Sequence, residues 1–212
     1  MKFFVFEHKM IFAAATPGIF PVTIEKMYEP EDTTPPVITI NQPATMQYQQ
    51  DVTLILNYSV TDESGSGVQS FTALMDNATT VDNHTLQSGL AINLLTEMNL
   101  GQHTFTVNAV DNAGNENSSS VTFTIGVNSG TIEEAVNHFS ATGAIRNHAL
   151  AELILAKLNA AASARAAGDC STANSNYEAF TKKLQAQIGK GVDAPAAIIM
   201  IKNAQYLITH CP

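Results

Sequence analysis

With 212 residues the chain has room for two small domains, and 45% hydrophobic with 14% charged residues is enough apolar matter for packed cores. The formal net charge of -9 argues against a nucleic-acid or anionic-lipid surface, which needs Lys and Arg. From Met27 to Ile145 there is no Lys or Arg at all, while acidic residues from Glu29 to Glu134 stand unopposed, so an acidic module precedes a near-neutral one.

Residues 1–31 admit two readings. Met1–Phe6 has the character of an export leader that Glu7, His8 and Lys9 interrupt, and a second apolar run, Met10–Ala15, ends in small residues of the cleavable kind. The favoured alternative is a β-rich remnant of a preceding domain, with strands Lys2–Glu7, Lys9–Ala15 and Phe20–Met27 around Thr16-Pro17-Gly18. On that reading the chain is the C-terminal part of a larger polypeptide. No apolar run approaches the roughly 20 residues that span a bilayer.

Residues 32–128 consist of short β-branched and apolar runs spaced by turn residues, the pattern of a sandwich. Thr33-Thr34-Pro35-Pro36 is a stiff extended lead-in, because proline fixes φ and cannot continue a helix. The predicted strands are Val37–Asn41, Val52–Thr61, Val68–Met75, Ala78–Val81, Ala91–Glu97, His103–Val110 and Ser119–Val127. Phe105, Val107 and Ala109 face one side and Thr104, Thr106 and Asn108 the other, and Val121, Phe123 and Ile125 repeat the alternation. His103 is expected at the surface.

Three segments carry a resemblance. Asp32-Thr33-Thr34-Pro35-Pro36-Val37-Ile38 opens the module, Tyr58–Val68 follows with Asp62-Glu63-Ser64-Gly65-Ser66-Gly67, and Gly101–Asn115 closes with Ala109-Val110-Asp111-Asn112-Ala113-Gly114-Asn115. Together they resemble the bacterial immunoglobulin-like repeats of surface and secreted proteins, which implies a seven-stranded sandwich used as a spacer or binding module, without enzymatic activity. In such a topology the second and sixth strands end at one edge, bringing Asp62 and Asp111 together as a candidate calcium pair of hard oxygen ligands. The same residue types are also turn formers that bond their own backbone, and there is no contiguous Asp-x-Asp-x-Asp-Gly loop. Asn57, Asn77, Asn83 and Asn117 each open an Asn-x-Ser/Thr triplet, which chance supplies readily in a segment this rich in Asn, Ser and Thr.

Beyond Asn128-Ser129-Gly130 the hydrophobic period changes from two to about 3.6. Thr131 and Glu134 form an expected capping box for a helix to about Ser140. A second helix over 146–168 has Leu150, Leu153, Ile154, Lys157, Leu158 and Ala161 as its inner stripe. A third over 172–188 has Tyr177, Phe180, Leu184 and Ile188, and a fourth from Pro195 to His210 has Ile198, Ile201, Ala204, Gln205 and Ile208. Short connections make these neighbours antiparallel, a small up-down bundle. The last two helices are nearly equal in length, so Cys170 and Cys211 arrive at one end and a disulfide there is favoured over two free thiols, and with it an oxidising compartment.

Gly143-Ala144-Ile145-Arg146-Asn147-His148-Ala149-Leu150, Ala156–Ala161, Tyr177-Glu178-Ala179-Phe180, Gln185–Lys190 and Ala204–Ile208 resemble the FIMAH domain, over about 138–211. That resemblance implies an accessory extracellular role and carries over no binding residues.

No catalytic site is expected. The histidines at 8, 84, 103, 138, 148 and 210 form no His-Glu-x-x-His pair, Gly65-Ser66-Gly67 lacks a nucleophile elbow's strand-to-helix setting, and there is no phosphate loop. With no Trp and five Tyr, a stacked sugar platform is poorly supplied, and Tyr58, Tyr177 and Tyr206 read as core or boundary residues. The reading is multidomain β plus α: residues 1–31, an immunoglobulin-like β-sandwich at 32–128, and an antiparallel helical bundle at 129–212. The expected function is a non-catalytic spacer and binding region of an exported or cell-surface bacterial protein, the alternative a carbohydrate-binding or calcium-dependent adhesion module. A cell-envelope glycan or a surface protein is the expected partner.

Overall fold

The computed structural model describes residues 5–12, 22–28, 31–63 and 65–211. Strands β1 (Val5–Phe12) and β2 (Val22–Tyr28) pair antiparallel, with a register shift between Phe6 and His8. The two strands expected at Lys2–Glu7 and Lys9–Ala15 are therefore one, which crosses the charged segment through an irregularity in the ladder rather than ending there. The turn expected at Thr16-Pro17-Gly18 lies outside the described residues.

The β module runs through β3 (Val37–Gln42), β4 (Gln47–Gln49), β5 (Thr53–Ile55), β6 (Asn57–Thr61), β7 (Val68–Met75), β8 (Thr80–Val81), β9 (His84–Thr85), β10 (Ala91–Asn93), the one-turn helix α1 (Leu94–Glu97), β11 (Gly101–Asp111) and β12 (Glu116–Gly126). One sheet has the order β4-β12-β11-β7, with β4 parallel to β12 and the other pairs antiparallel. The antiparallel pairs β3-β6 and β5-β10 form separate two-stranded sheets, with β3 running close to β12. One apolar cluster joins these sheets: Leu54, Tyr58 and Ile92 from the pairs, with Leu56 between β5 and β6, meet Met75, Phe105, Val107, Phe123 and Ile125 from the four-stranded sheet. The alternation of Phe105, Val107 and Ala109 inward is as expected, and all three are buried.

Several predicted boundaries move, each for a local reason. The strand expected over Val52–Thr61 divides at Leu56, whose N–H donates to the Leu90 carbonyl at 2.9 Å and whose carbonyl accepts from Gly89 at 2.7 Å. The strand expected over Ala91–Glu97 stops at Asn93, because the Asn93 side chain accepts from the Leu95 N–H at 3.0 Å and starts α1 instead. Ala78–Val81 shortens to β8 between two tight turns. Asp76-Asn77 and Asp82-Asn83 all have positive φ, which Asn and Asp tolerate and which a two-residue reversal needs. Two of the four Asn-x-Ser/Thr triplets thus open in turns that account for their asparagine.

The helical module comprises α2 (Ser129–Ala141), α3 (His148–Ala166), α4 (Cys170–Gln187) and α5 (Ala194–Thr209). Helix α2 packs against α3 and α5, and α4 packs between α3 and α5, closing a four-helix arrangement. The capping box is displaced from the expected Thr131–Glu134 pair. The Asn128 side chain accepts from the Thr131 N–H at 3.0 Å, while the Thr131 hydroxyl accepts from the Asn128 N–H at 2.7 Å. The buried stripe of α5 is Ala196, Ala197, Met200, Asn203, Ala204 and Leu207, about one position away from the expected one, and Ile198 and Gln205 face solvent. Leu153, 44% exposed, and Ile188, 39% exposed, also leave their predicted stripes. In α5 the small Ala196, Ala197 and Ala204 occupy the buried face, where a reading weighted by bulk favours Ile198.

Cys170 and Cys211 form the disulfide, with Cα atoms 5.9 Å apart. It ties the start of α4 to the end of α5, as the antiparallel topology requires. At that end Arg165 donates to the Leu207 carbonyl at 2.8 Å and to the His210 carbonyl, placing a cation on the open carbonyls of the α5 C-terminus.

The two modules meet directly. Leu95 of α1 and Val127 belong to the buried cluster of the helices, and Leu100 packs against both clusters. Asn128 Nδ2 donates to Gln49 Oε1 at 3.1 Å, and Lys202 Nζ to Asn99 Oδ1 at 3.3 Å.

The bridge closes a sequence separation of 41 residues. Reduction, or replacement of both cysteines by serine, is expected to lower the stability of the helical module by about 3–4 kcal/mol in the chain-entropy model. Chemical denaturation with and without reductant measures the loss. Mass measurement after alkylation under non-reducing conditions should find no free thiol, and two alkylated cysteines would refute the pairing.

Candidate functional site

Strand β6 ends at Thr61 and β11 at Asp111, and the two ends lie together at one edge of the β module. Asp62 follows the first and Asp111 closes the second. A third carboxylate, Asp32, comes from the extended segment before β3. One carboxylate oxygen from each of Asp32, Asp62 and Asp111 lies within 4.8 Å of the others.

Backbone conformation brings them together. Asp111 is fully buried in the β11–β12 turn, where its Oδ1 accepts from the N–H groups of Ala113 at 2.9 Å and Asn115 at 2.8 Å, and its Oδ2 from Asn115 Nδ2 at 2.8 Å. The second Asn115 amide hydrogen reaches the Asp32 carbonyl at 2.9 Å, and Asn117 Nδ2 reaches the Pro36 carbonyl at 2.7 Å, lashing the lead-in segment to this turn. The β6–β7 loop supplies the remaining donors. Ser66 N–H donates to Asp32 Oδ2 and Gly67 N–H to Asp62 Oδ2, each at 2.7 Å, while Asn112 Nδ2 donates to the Ser66 and Gly67 carbonyls at 3.0 Å. Gly65 lies over the group: a Cβ there would fall inside contact distance of the Asp32 and Asp62 carboxylates.

The electrostatics follow. Hydrogen bonds from the Thr34 N–H, then the Ser66 N–H, hold the Asp32 carboxyl below its ordinary value. A depressed carboxyl stabilises the fold above its unfolded-state pKa, and that contribution is lost as pH falls through the folded-state one. A carboxylate has about four lone-pair sites, so the hydrogen bonds leave acceptor capacity on each group. Calcium binds oxygens at about 2.3–2.6 Å, and ligands on opposite sides of one ion therefore lie up to about 5 Å apart, a span these three oxygens fit.

Asp62 and Asp111, the pair singled out from the sequence, come together; Asp32 is the residue that reasoning missed. Its signal was present in Asp32-Thr33-Thr34-Pro35, since Asp32 Oδ1 accepts from the Thr34 N–H at 2.9 Å in the local turn that Asp favours. His103 needs correction: it is 7% exposed, in phase with Phe105 and not with Thr104. Its Nδ1 lies 2.6 Å from Asp76 Oδ2 and its Nε2 2.9 Å from the Asn99 carbonyl. Tyr58, Tyr177 and Tyr206 each have a partner within the chain. Tyr58 donates to the Leu86 carbonyl at 3.0 Å, with burial raising its phenol above the ordinary value; Tyr177 meets Ser129 Oγ at 3.0 Å; Tyr206 stacks on His210.

Residues 129–209 match the family model of the FIMAH domain. The match begins immediately after the Asn128 cap and takes in all four helices α2–α5, including α2, which lies largely before the segment whose sequence showed the resemblance. No curated protein matches the chain.

Asp111→Ala would leave the part-buried N–H groups of Ala113 and Asn115 without their acceptor, so a loss of about 2–6 kcal/mol is expected, two donors at about 1–3 kcal/mol each. Asp62→Ala, which frees one N–H at a partly open position, should cost less. Urea denaturation of the two variants ranks them, and equal losses would contradict the central role of Asp111.

Proposed function

We propose that this chain is a non-catalytic accessory region of an exported or cell-surface protein, in which an immunoglobulin-like β-sandwich sets distance and a FIMAH-type helical module is carried rigidly on its end. The observation that carries this reading is the FIMAH match over residues 129–209, joined without a linker to the β module through Asn128. Two features support it. The parallel pairing of the short β4 with the last strand, and the order β4-β12-β11-β7 in a sheet that shares one apolar cluster with β3-β6, suit an immunoglobulin-like topology. The Cys170–Cys211 bridge suits an oxidising compartment. Among the described residues no helix is long and apolar enough to cross a membrane.

A spacer that positions something must be stiff at its joint. Nuclear magnetic relaxation of the whole chain should give one rotational correlation time for both modules, and Leu95→Asp, which puts a charge into the helical core from the β side, should separate them. Independent tumbling of the unaltered modules would overturn the rigid-spacer reading.

A second reading, in which calcium stiffens the β module, rests on the convergence of Asp32, Asp62 and Asp111. One ion would neutralise part of the repulsion among three carboxylates that no Lys or Arg of the module can relieve. Calcium should then raise the melting midpoint of the β module relative to chelator, by an amount that grows with calcium concentration. Asp62→Asn should remove that increment. An identical midpoint in excess calcium and in chelator would leave the cluster as a purely hydrogen-bonded corner.

A further inference from the structure

The seam between the modules contains a crevice of about 210 Å³, formed by Gln50 and the segment around α1 on one side and by α5 on the other. Its polar lining has an unusual property. Gln50 is 3% exposed and Asn203 1% exposed, and Gln50 Oε1, Asn203 Oδ1 and Asn203 Nδ2 have no hydrogen-bond partner among the described residues. Buried amides without partners are rare because each has lost its water without a replacement. Asn203 is the more telling of the two, since its neighbours in the buried stripe of α5 are Ala196, Ala197, Met200, Ala204 and Leu207. An apolar residue there would pack at no such cost.

We infer that this crevice is a binding site for a neutral, hydroxyl-rich ligand of monosaccharide size. The three unpartnered atoms comprise two acceptors and one donor, from opposite modules. A hydroxyl group both donates and accepts, so a polyol satisfies such a mixed set where an anion or a cation satisfies only one kind. The rim carries one Glu97 carboxylate and one Lys202 ammonium, which leaves no net preference for a charged ligand. Leu100 and Ile199 supply apolar surface for the C–H face of a sugar ring. The volume corresponds to about seven water molecules at roughly 30 Å³ each, room for one sugar unit. The walls are anchored independently of any ligand. Gln50 N–H donates to the Gly126 carbonyl at 2.9 Å, and the Asn99 carbonyl accepts from the buried His103, which Asp76 holds. The site is distant in chemistry from the carboxylate cluster and stands whether or not that cluster takes calcium.

The test is a titration of the full, oxidised chain with glucose, mannose and N-acetylglucosamine, followed by amide and side-chain shifts in nuclear magnetic resonance, with sodium chloride matched throughout. At least one sugar should give saturable shifts at the Gln50 and Asn203 side chains and at Lys202. Asn203→Leu, compatible with its apolar neighbours, should weaken binding at least tenfold while leaving the melting midpoint unchanged or higher. Gln50→Leu, in the other module, provides the same comparison if the first variant does not fold. Absence of saturable shifts at these residues overturns the inference, as does unchanged affinity in either folded variant. Long-lived water signals at the two amides without any sugar response would identify a hydrated seam and equally refute it.

Discussion

The arrangement depends on the junction at Asn128. Strand β12 ends at Gly126 and helix α2 begins at Ser129, so only Val127 and Asn128 separate a sheet from a helix. The reciprocal Asn128–Thr131 bonds fix the first turn of α2, and Val127 is already part of the helical core. With so short a connection the direction of the last strand sets the direction of the first helix. The sheet therefore dictates where the bundle sits, and α1 can contribute Leu95 to a core that otherwise belongs to the other module. The crevice beside Gln50 and Asn203 is a consequence of the same docking, because each wall belongs to a different module.

Much of this was legible because hydrophobic period is a direct print of geometry. The change from period two to 3.6 falls at the observed junction, Val68–Met75 coincides with a strand, and the helices lie within a few residues of their expected limits. What escaped did so for identifiable reasons. Asn93 ended a strand by capping a helical turn, a competition between local side-chain bonding and sheet pairing that periodicity does not register. The α5 stripe was misphased because Ile and Leu weigh more than Ala in any pattern, although Ala is what close helix packing selects. His103 was misplaced by polarity overriding parity: its alternation with Phe105 already put it inside, where Asp76 and the Asn99 carbonyl receive its two nitrogens.

The carboxylate corner was half legible. Asp62 and Asp111 followed from a topology in which two strands end together, whereas Asp32 arrives from a lead-in segment whose path is set by Asn115 and Asn117 side chains. Long-range amide bonds of this kind leave no periodic trace in a sequence.

The absence of Lys and Arg from Met27 to Ile145 imposes a common solution on the β module. Its structurally engaged carboxylates must be met by N–H donors rather than by cations, and they are: Asp111 by Ala113 and Asn115, Asp32 by Thr34 and Ser66, Asp62 by Gly67, and Asp76 by Thr104 beside His103. Backbone donors are fixed in place by the turns themselves, so each bond forms without ordering a long, flexible basic side chain. The same solution concentrates three carboxylates at one corner, with one oxygen of each within 4.8 Å of the others, a repulsion the donors reduce but do not remove. A module with lysines could relieve that corner with a salt bridge. This one has only the N–H network and whatever the medium provides, which is why the response to a divalent cation, and not the hydrogen bonds, distinguishes a turn from a site.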